Sequence, residues 1–188
     1  MSNHQSGAPW NRQASAGLAT AFPFGTSCRR RPKLDAGIGG SGVLPKIIEI
    51  SQKDTASAVP ALRELWPNYD AVEMTRLIDM ELRPNGYRLA GIRPEPDGPA
   101  ACVLGYRLQH SLWLGKSFYI VDMVTLPAFR GRGYASRILD WAKDEAERLG
   151  CRALHLDSGV GPDRGDAHRV YMANRYQIAC HHFVRKLG

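Results

Sequence analysis

Residues 118–150 read FYIVDMVTLPAFRGRGYASRILDWAKDEAERLG, and this stretch decides the fold. Phe118 to Leu126 is a nearly continuous apolar run, rich in β-branched and aromatic residues and broken only by Asp122 and Thr125. Such a run predicts a strand buried on both faces, which Pro127 ends. From Ala135 the spacing becomes helical. Ala135, Ile138, Leu139, Ala142, Ala146 and Leu149 fall on one face, and Arg137, Lys143, Asp144, Glu147 and Arg148 lie mostly on the other. Gly150 stands where a left-handed C-cap belongs.

Between strand and helix lies Arg130-Gly131-Arg132-Gly133-Tyr134-Ala135, a glycine-punctuated turn that opens onto a helix N-terminus. A helix start offers unpaired N–H groups and the positive end of the dipole. Glycines let a ligand approach the backbone, and the two arginines add charge. These are the parts of a pyrophosphate cradle. An ordinary strand-to-helix turn with solvated arginines is the plainer reading. The buried strand, the amphipathic helix and a second strand following at once (Ala153 to Asp157) favour the cradle.

A dinucleotide on a Rossmann unit would use Gly131 and Gly133 to start its fingerprint and Asp157 to hold the ribose. Ser136 stands at the third glycine position, and four residues, Pro127 to Arg130, separate strand from glycine where that turn is tight. Too little chain follows Asp157 for the further βα repeats, so this reading is rejected.

Coenzyme A fits better. Arg130-x-x-Gly133-x-Ala135, after a buried strand and before an amphipathic helix, resembles the acetyl-CoA signature of the GNAT superfamily of N-acetyltransferases. The resemblance continues into Ala167-His-Arg-Val-Tyr171, similar to the family's last helix with its tyrosine, and covers roughly Ile47 to the C-terminus. It implies a mixed α/β fold whose central sheet is splayed near its middle and flanked by helices. It implies acetyl-CoA as co-substrate, with backbone groups of Met123, Val124 and Thr125 along the pantetheine arm. The turn Arg130, Gly131, Arg132, Gly133, Tyr134, Ala135 and Ser136 would hold the pyrophosphate. Tyr171 takes the position of the family's general acid, poised to protonate the departing sulfur. A phenol near 10 suits a thiol near 8.5; the alternative is a core tyrosine.

Asp122 interrupts the apolar strand. It is a candidate to take the acceptor's proton, directly or through water. It is equally a buried acid satisfied by backbone donors, or a residue on the sheet's wet side. Glu73 and Glu81 are candidates for an acceptor site on the early helices, with a solvated helix face the plainer reading. His155, His168, His181 and His182 suggest metal only superficially. Adjacent strand residues point to opposite faces, so His181 and His182 do not share one ion, and no metal is expected. His168, one turn before Tyr171, lies in the site or covers a loop. The loop Val160 to Gly165 has no asparagine where many relatives place one beside the cofactor.

Length sets one domain for the 188 residues, with a tail before it. Residues 1–43 are rich in Gly, Ser, Ala and Pro and read as a flexible extension. A transit-like segment and a start site placed too far upstream stay open as alternatives. Within the tail, Arg12, Arg29, Arg30, Arg31 and Lys33 stand against Asp35, a net +4. That leaves +3 of the chain's +7 for residues 44–188, weak support for a nucleic-acid surface. No apolar run approaches membrane-spanning length. Four scattered cysteines fit a reducing cytoplasm.

Along the domain the sequence predicts a strand at Ile47–Ile50, a short helix at Ser57–Trp66 and a helix capped by Asp70 with Glu73. Strands follow at Tyr87–Ile92, Ala101–Leu114 and Phe118–Leu126, the last two joined through a Gly115–Lys116 turn. After the long helix and the Ala153–Asp157 strand come a helix from Asp166 to about Asn174 and a last strand, Tyr176–Lys186. The expected enzyme is an acetyl-CoA-dependent N-acetyltransferase acting on a primary amine of a small molecule, peptide or protein. Acetylation of aminoacyl-tRNA and a CoA-binding module without turnover are the alternatives. A homodimer is compatible with the sequence.

Overall fold

The computed structural model describes residues 45–187, so the tail expected over residues 1–43 lies outside the described residues. Five strands form one sheet in the order of the chain: β1 (Ile47–Ile50), β2 (Arg88–Ile92), β3 (Cys102–Ser111), β4 (Gly115–Thr125) and β5 (Ala153–Leu156). The first four pair antiparallel, and β5 joins β4 in parallel. The parallel step needs a crossover, which the helix α3 (Tyr134–Arg148) supplies.

Each face of the sheet carries its own core. On one, Ile138, Leu139, Ala142 and Ala146 of α3 pack on Leu104, Tyr106, Phe118 and Ile120. Tyr106 stacks on Phe118 at 4.3 Å between ring centroids, with Trp141 edge-on at 6.0 Å. On the other face lie the short helices α1 (Val59–Leu62) and α2 (Ala71–Leu77), whose Leu62 and Met74 bury against Leu89, Val103 and Val124. Asp70 caps α2 as expected, its carboxylate accepting the Glu73 N–H at 2.8 Å. The helix then loosens into a π turn, Ile78–Leu82. Arg83 pins this turn to the sheet, donating to Asp79 at 3.1 Å, to Thr55 at 3.0 Å and to the Ile50 carbonyl at 2.9 Å.

Several expectations need correction. The helix at Ser57–Trp66 is a 3-10 turn, Gln52–Ser57, followed by the single turn α1, with Pro60 in the first turn where its missing N–H costs nothing. The β3–β4 hairpin turns over Leu112–Leu114, not Gly115–Lys116. Ser111 pairs with Gly115, which takes φ +66° as the first residue of β4. The β4 strand is not buried on both faces: buried and half-buried residues alternate along most of it. The last strand does not form. After α4 (Gly165–Ala173), Arg175 adopts φ +68°, and Tyr176 to Leu187 follows without entering a ladder among the described residues. Extended sequence becomes a strand only where a partner edge receives its N–H and C=O groups. Here Ile178, Phe183, Val184 and Leu187 stay exposed.

The β3–β4 ladder carries an irregularity that sets the orientation of Asp122. Gly105 faces Asp122 across the ladder, but Tyr106 faces Ile120, so Val121 is an extra residue, a β-bulge. Ile120 therefore belongs to the α3 core, while Val121 and Asp122 both turn toward α1 and α2. Pairing between β4 and β5 also stops at Ile120 opposite Leu156. From there β4 runs on to Thr125 with no strand on its β5 side among the described residues.

Candidate active site

The splay leaves Met123, Val124 and Thr125 on an edge whose backbone groups on the β5 side meet no neighbouring strand. Downstream, the chain makes a 3-10 turn (Pro127–Phe129) and then reaches the glycine turn. Gly131 and Gly133 take φ +75° and +74°, a region that L side chains rarely enter. A Cβ on either would meet no atom within 4 Å, so the concavity is open. The first backbone bond of α3 runs from the Arg137 N–H to the Gly133 carbonyl at 3.1 Å. The amides of Tyr134, Ala135 and Ser136 thus precede the helical ladder and present the positive end of a 15-residue helix.

The two arginines brace this turn. Arg130 donates from Nε to the Thr125 carbonyl at 3.2 Å, and Arg132 to the Ala128 carbonyl at 3.1 Å, with its guanidinium 5.0 Å from the Phe129 ring centroid. Both side chains remain exposed at the rim with further N–H groups to offer.

Of the three readings open for Asp122, the wet side is excluded, since it is 7% exposed, and the hydrogen bonds to its carboxylate come from side chains where the buried-acid reading had backbone donors. The Trp66 indole N–H donates to Oδ1 at 2.8 Å and the Tyr87 hydroxyl to Oδ2 at 2.7 Å. A buried carboxylate without partners is costly, and here each oxygen accepts one hydrogen bond. Burial first, then the Asp122 charge, drives the Tyr87 phenol well above its usual range, so Tyr87 stays a donor. Room for it comes from Gly105, where a Cβ would stand 2.0 Å from the Tyr87 hydroxyl oxygen. Asp122 lies in a pocket of about 240 Å³ between α1, α2, the π turn and β4. Its walls are otherwise apolar or aromatic, chiefly Leu62, Met74, Leu77, Ile78, Leu82 and Val121.

Tyr171 is half-buried on α4, its ring 5.9 Å from that of Tyr176. Burial raises its phenol pKa and Arg164 opposes the rise. Asn174, at the end of the same helix, donates to Ser136 Oγ at 3.0 Å and so ties α4 to the start of α3. Tyr171 is thereby held on the cradle side of the sheet, whereas Asp122 faces the α2 side. His168 covers a loop: its Nε2 lies 2.8 Å from the Gly159 carbonyl, which fixes it as the protonated nitrogen. Asp157 accepts from Tyr119 at 2.6 Å and lies 3.4 Å from His182 Nδ1. Glu81 pairs with exposed Arg76, and neither it nor Glu73 lines the pocket.

The acetyltransferase (GNAT) family model matches residues 50–174. The aminoalkylphosphonate N-acetyltransferase of Salmonella typhimurium is 34% identical over 141 residues, 72% of this chain and 86% of its own. The chain belongs to the GNAT family of acetyltransferases. A thialysine N-epsilon-acetyltransferase of Bos taurus is 27% identical over 124 residues, 58% of this chain and 72% of its own. An aminoglycoside N-acetyltransferase solved with CoA shares the fold at TM-score 0.63 and 18% identity, over 75% of this chain and 93% of its own. A GNAT enzyme takes its acyl group from acetyl-CoA, which is the co-substrate here, and delivers it to an amine. Around the end of β4 the chain brings together a left-handed glycine turn at a helix N-terminus, a strand edge without a neighbour among the described residues and a pocket with one carboxylate. No helix among the described residues is long and apolar enough to cross a membrane.

Reading the sequence missed Trp66, Tyr87 and Gly105. Gly105 carried a signal, since an isolated glycine inside an apolar strand marks close approach by another group. Trp66 and Tyr87 carried none, being 56 and 35 residues from Asp122. Gly105→Ala should push the Tyr87 hydroxyl off Asp122, costing about 1–3 kcal/mol for the broken buried bond. It should raise the acceptor KM and leave acetyl-CoA affinity within about twofold, since the cradle lies on other elements. Denaturant unfolding, steady-state kinetics and calorimetric titration measure the three effects separately.

Proposed function

We propose that acetyl transfer occurs by direct attack in a ternary complex assembled around the end of β4. Amides of Tyr134, Ala135 and Ser136, the glycine turn at Gly131 and Gly133, and the rim arginines Arg130 and Arg132 hold the pyrophosphate. Backbone groups of Met123, Val124 and Thr125 receive the pantetheine arm along the edge that β5 leaves open. The observation that carries this reading is the left-handed, unobstructed Gly131–Gly133 turn at the N-terminus of α3 beside that edge.

In the reaction the amine nitrogen attacks the thioester carbonyl carbon, forming the C–N bond. As the tetrahedral centre collapses the C–S bond breaks, and the sulfur takes a proton from Tyr171, which solvent restores. The surplus proton on nitrogen passes to Asp122, directly or through water, and on to bulk. Orientation supplies most of the acceleration in such a transfer. The raised pKa keeps Tyr171 protonated through neutral pH, as a donor must be.

We place the enzyme in a reducing compartment, the cytoplasm, in keeping with three free cysteines among the described residues, Cys102 buried, Cys151 half-buried and Cys180 exposed. We further propose a homodimer in which the segment after Arg175 pairs with the second copy. Its exposed Ile178, Phe183, Val184 and Leu187 are what such an interface would bury, and β5 offers an open edge. A chain ending at Arg175 should sediment as a monomer and the full chain as a dimer; equal masses would refute the arrangement.

Gly133→Val should abolish CoA binding while the fold survives. A branched residue at φ +74° strains the turn and places methyl groups where a phosphate must meet backbone N–H. Unchanged affinity by calorimetry would remove the cradle assignment. Tyr171→Phe should lower kcat on the order of 100-fold with acetyl-CoA affinity unchanged, since the phenol acts only as the thioester breaks. In the parent enzyme burial holds the Tyr171 phenol above its ordinary range, against the opposing charge of Arg164, so loss of the acid should appear only at alkaline pH. Wild-type turnover by the Phe variant would make Tyr171 a packing residue.

A further inference from the structure

We propose that the acceptor is a primary amine borne on an apolar body, a short alkyl chain or a single aromatic ring, and not an amine with an anionic group nearby. The inference rests on the transferase reading and deepens it at the acceptor site. The pocket beside the end of β4 has one acidic side chain, Asp122, and no Lys or Arg among its lining residues. Asp122 is fixed there by the Trp66 and Tyr87 donors, and its carboxylate retains lone pairs for a further donor. An ammonium matches that carboxylate in charge, and on losing one proton through it to water becomes the neutral amine that attacks. The groups that continue from it, Met74, Leu77, Ile78 and Leu82, offer only apolar contact.

Position supports the same orientation. Val121 and Asp122 are the bulged pair that turns toward α2, and the next residue, Met123, begins the edge assigned to pantetheine. An amine at Asp122 thus sits where the thioester arrives, with its body pointing away under α2. A phosphonate or carboxylate a few atoms from the nitrogen would meet apolar walls and the like charge of Asp122. The volume of about 240 Å³ is below the range that encloses drug-sized molecules, which limits the body to a few carbons or one ring. Exposed Trp66 and Tyr69 stand at the mouth, and Trp66 holds its N–H inward to Asp122.

The test uses the full chain and acetyl-CoA at saturation. Thiol release and product mass are read with propyl-, butyl-, pentyl- and hexylamine, 2-phenylethylamine, 2-aminoethylphosphonate and 4-aminobutanoate. The acetyl-CoA-induced rise in Tm is recorded in parallel. For the alkylamines kcat/KM should rise roughly threefold to fourfold per added methylene as each CH2 enters the pocket. The two anionic amines should fall on the order of 100-fold below hexylamine. Leu77→Arg, at a half-buried lining position, should reverse that order by placing a cation against the anionic group.

A flat alkylamine series, or preference for the phosphonate, overturns the acceptor class while leaving the transferase intact. A raised Tm with no apolar amine turned over overturns it as well, with the cofactor site correct. Absence of both turnover and Tm shift instead defeats the transferase reading beneath it.

Discussion

The structure depends on the parting of β4 from β5. Two parallel strands that stayed hydrogen-bonded to their ends would leave no backbone free and no space between them. Here the ladder stops at Ile120, and the bulge at Val121 falls at the same point. A bulge bends its strand and increases its twist, so it both opens the wedge and rotates the next side chain to the other face. One extra residue therefore supplies two features of the site. It frees the edge of Met123–Thr125, and it delivers Asp122 to the α2 side when simple alternation from Ile120 would have kept it in the α3 core.

The charges of the site follow from this geometry. At the cradle, helix amides, open glycines and two arginines make a region for anions. On the opposite face Asp122 sits in an apolar pocket, held by two neutral donors. The unpaired end of β4, where the sheet is open, lies between the two. The low-dielectric surroundings that strengthen each interaction also make it costly to leave Asp122 without partners. Gly105 belongs to this arrangement although it touches no substrate, since only a residue without Cβ lets Tyr87 reach the carboxylate.

The helices act on the site mainly as supports. The π turn that supplies Ile78 and Leu82 to the pocket is held by Arg83, which bonds to Asp79 within the turn and reaches the Ile50 carbonyl of β1 and Thr55 beyond it. On the other side the Asn174–Ser136 bond holds α4 against the start of α3, so the segment carrying Tyr171 is registered on the cradle.

Local pattern in the sequence was enough to determine the strand, turn and helix of residues 118–150, the left-handed glycine at Gly150, the cap at Asp70 and the family. These features depend on neighbours a few residues apart: helical spacing, steric limits on φ, and side-chain bonds to the next turn. Other features needed the tertiary structure. The partners of Asp122 come from two distant segments, and its face is set by a bulge that no residue type announces. Tyr176–Lys186 has the composition of a strand, yet in this chain it stays out of the sheet, because a strand exists only where another edge accepts its hydrogen bonds. Composition fixes what a segment is able to pair with, and the assembled sheet decides whether it does.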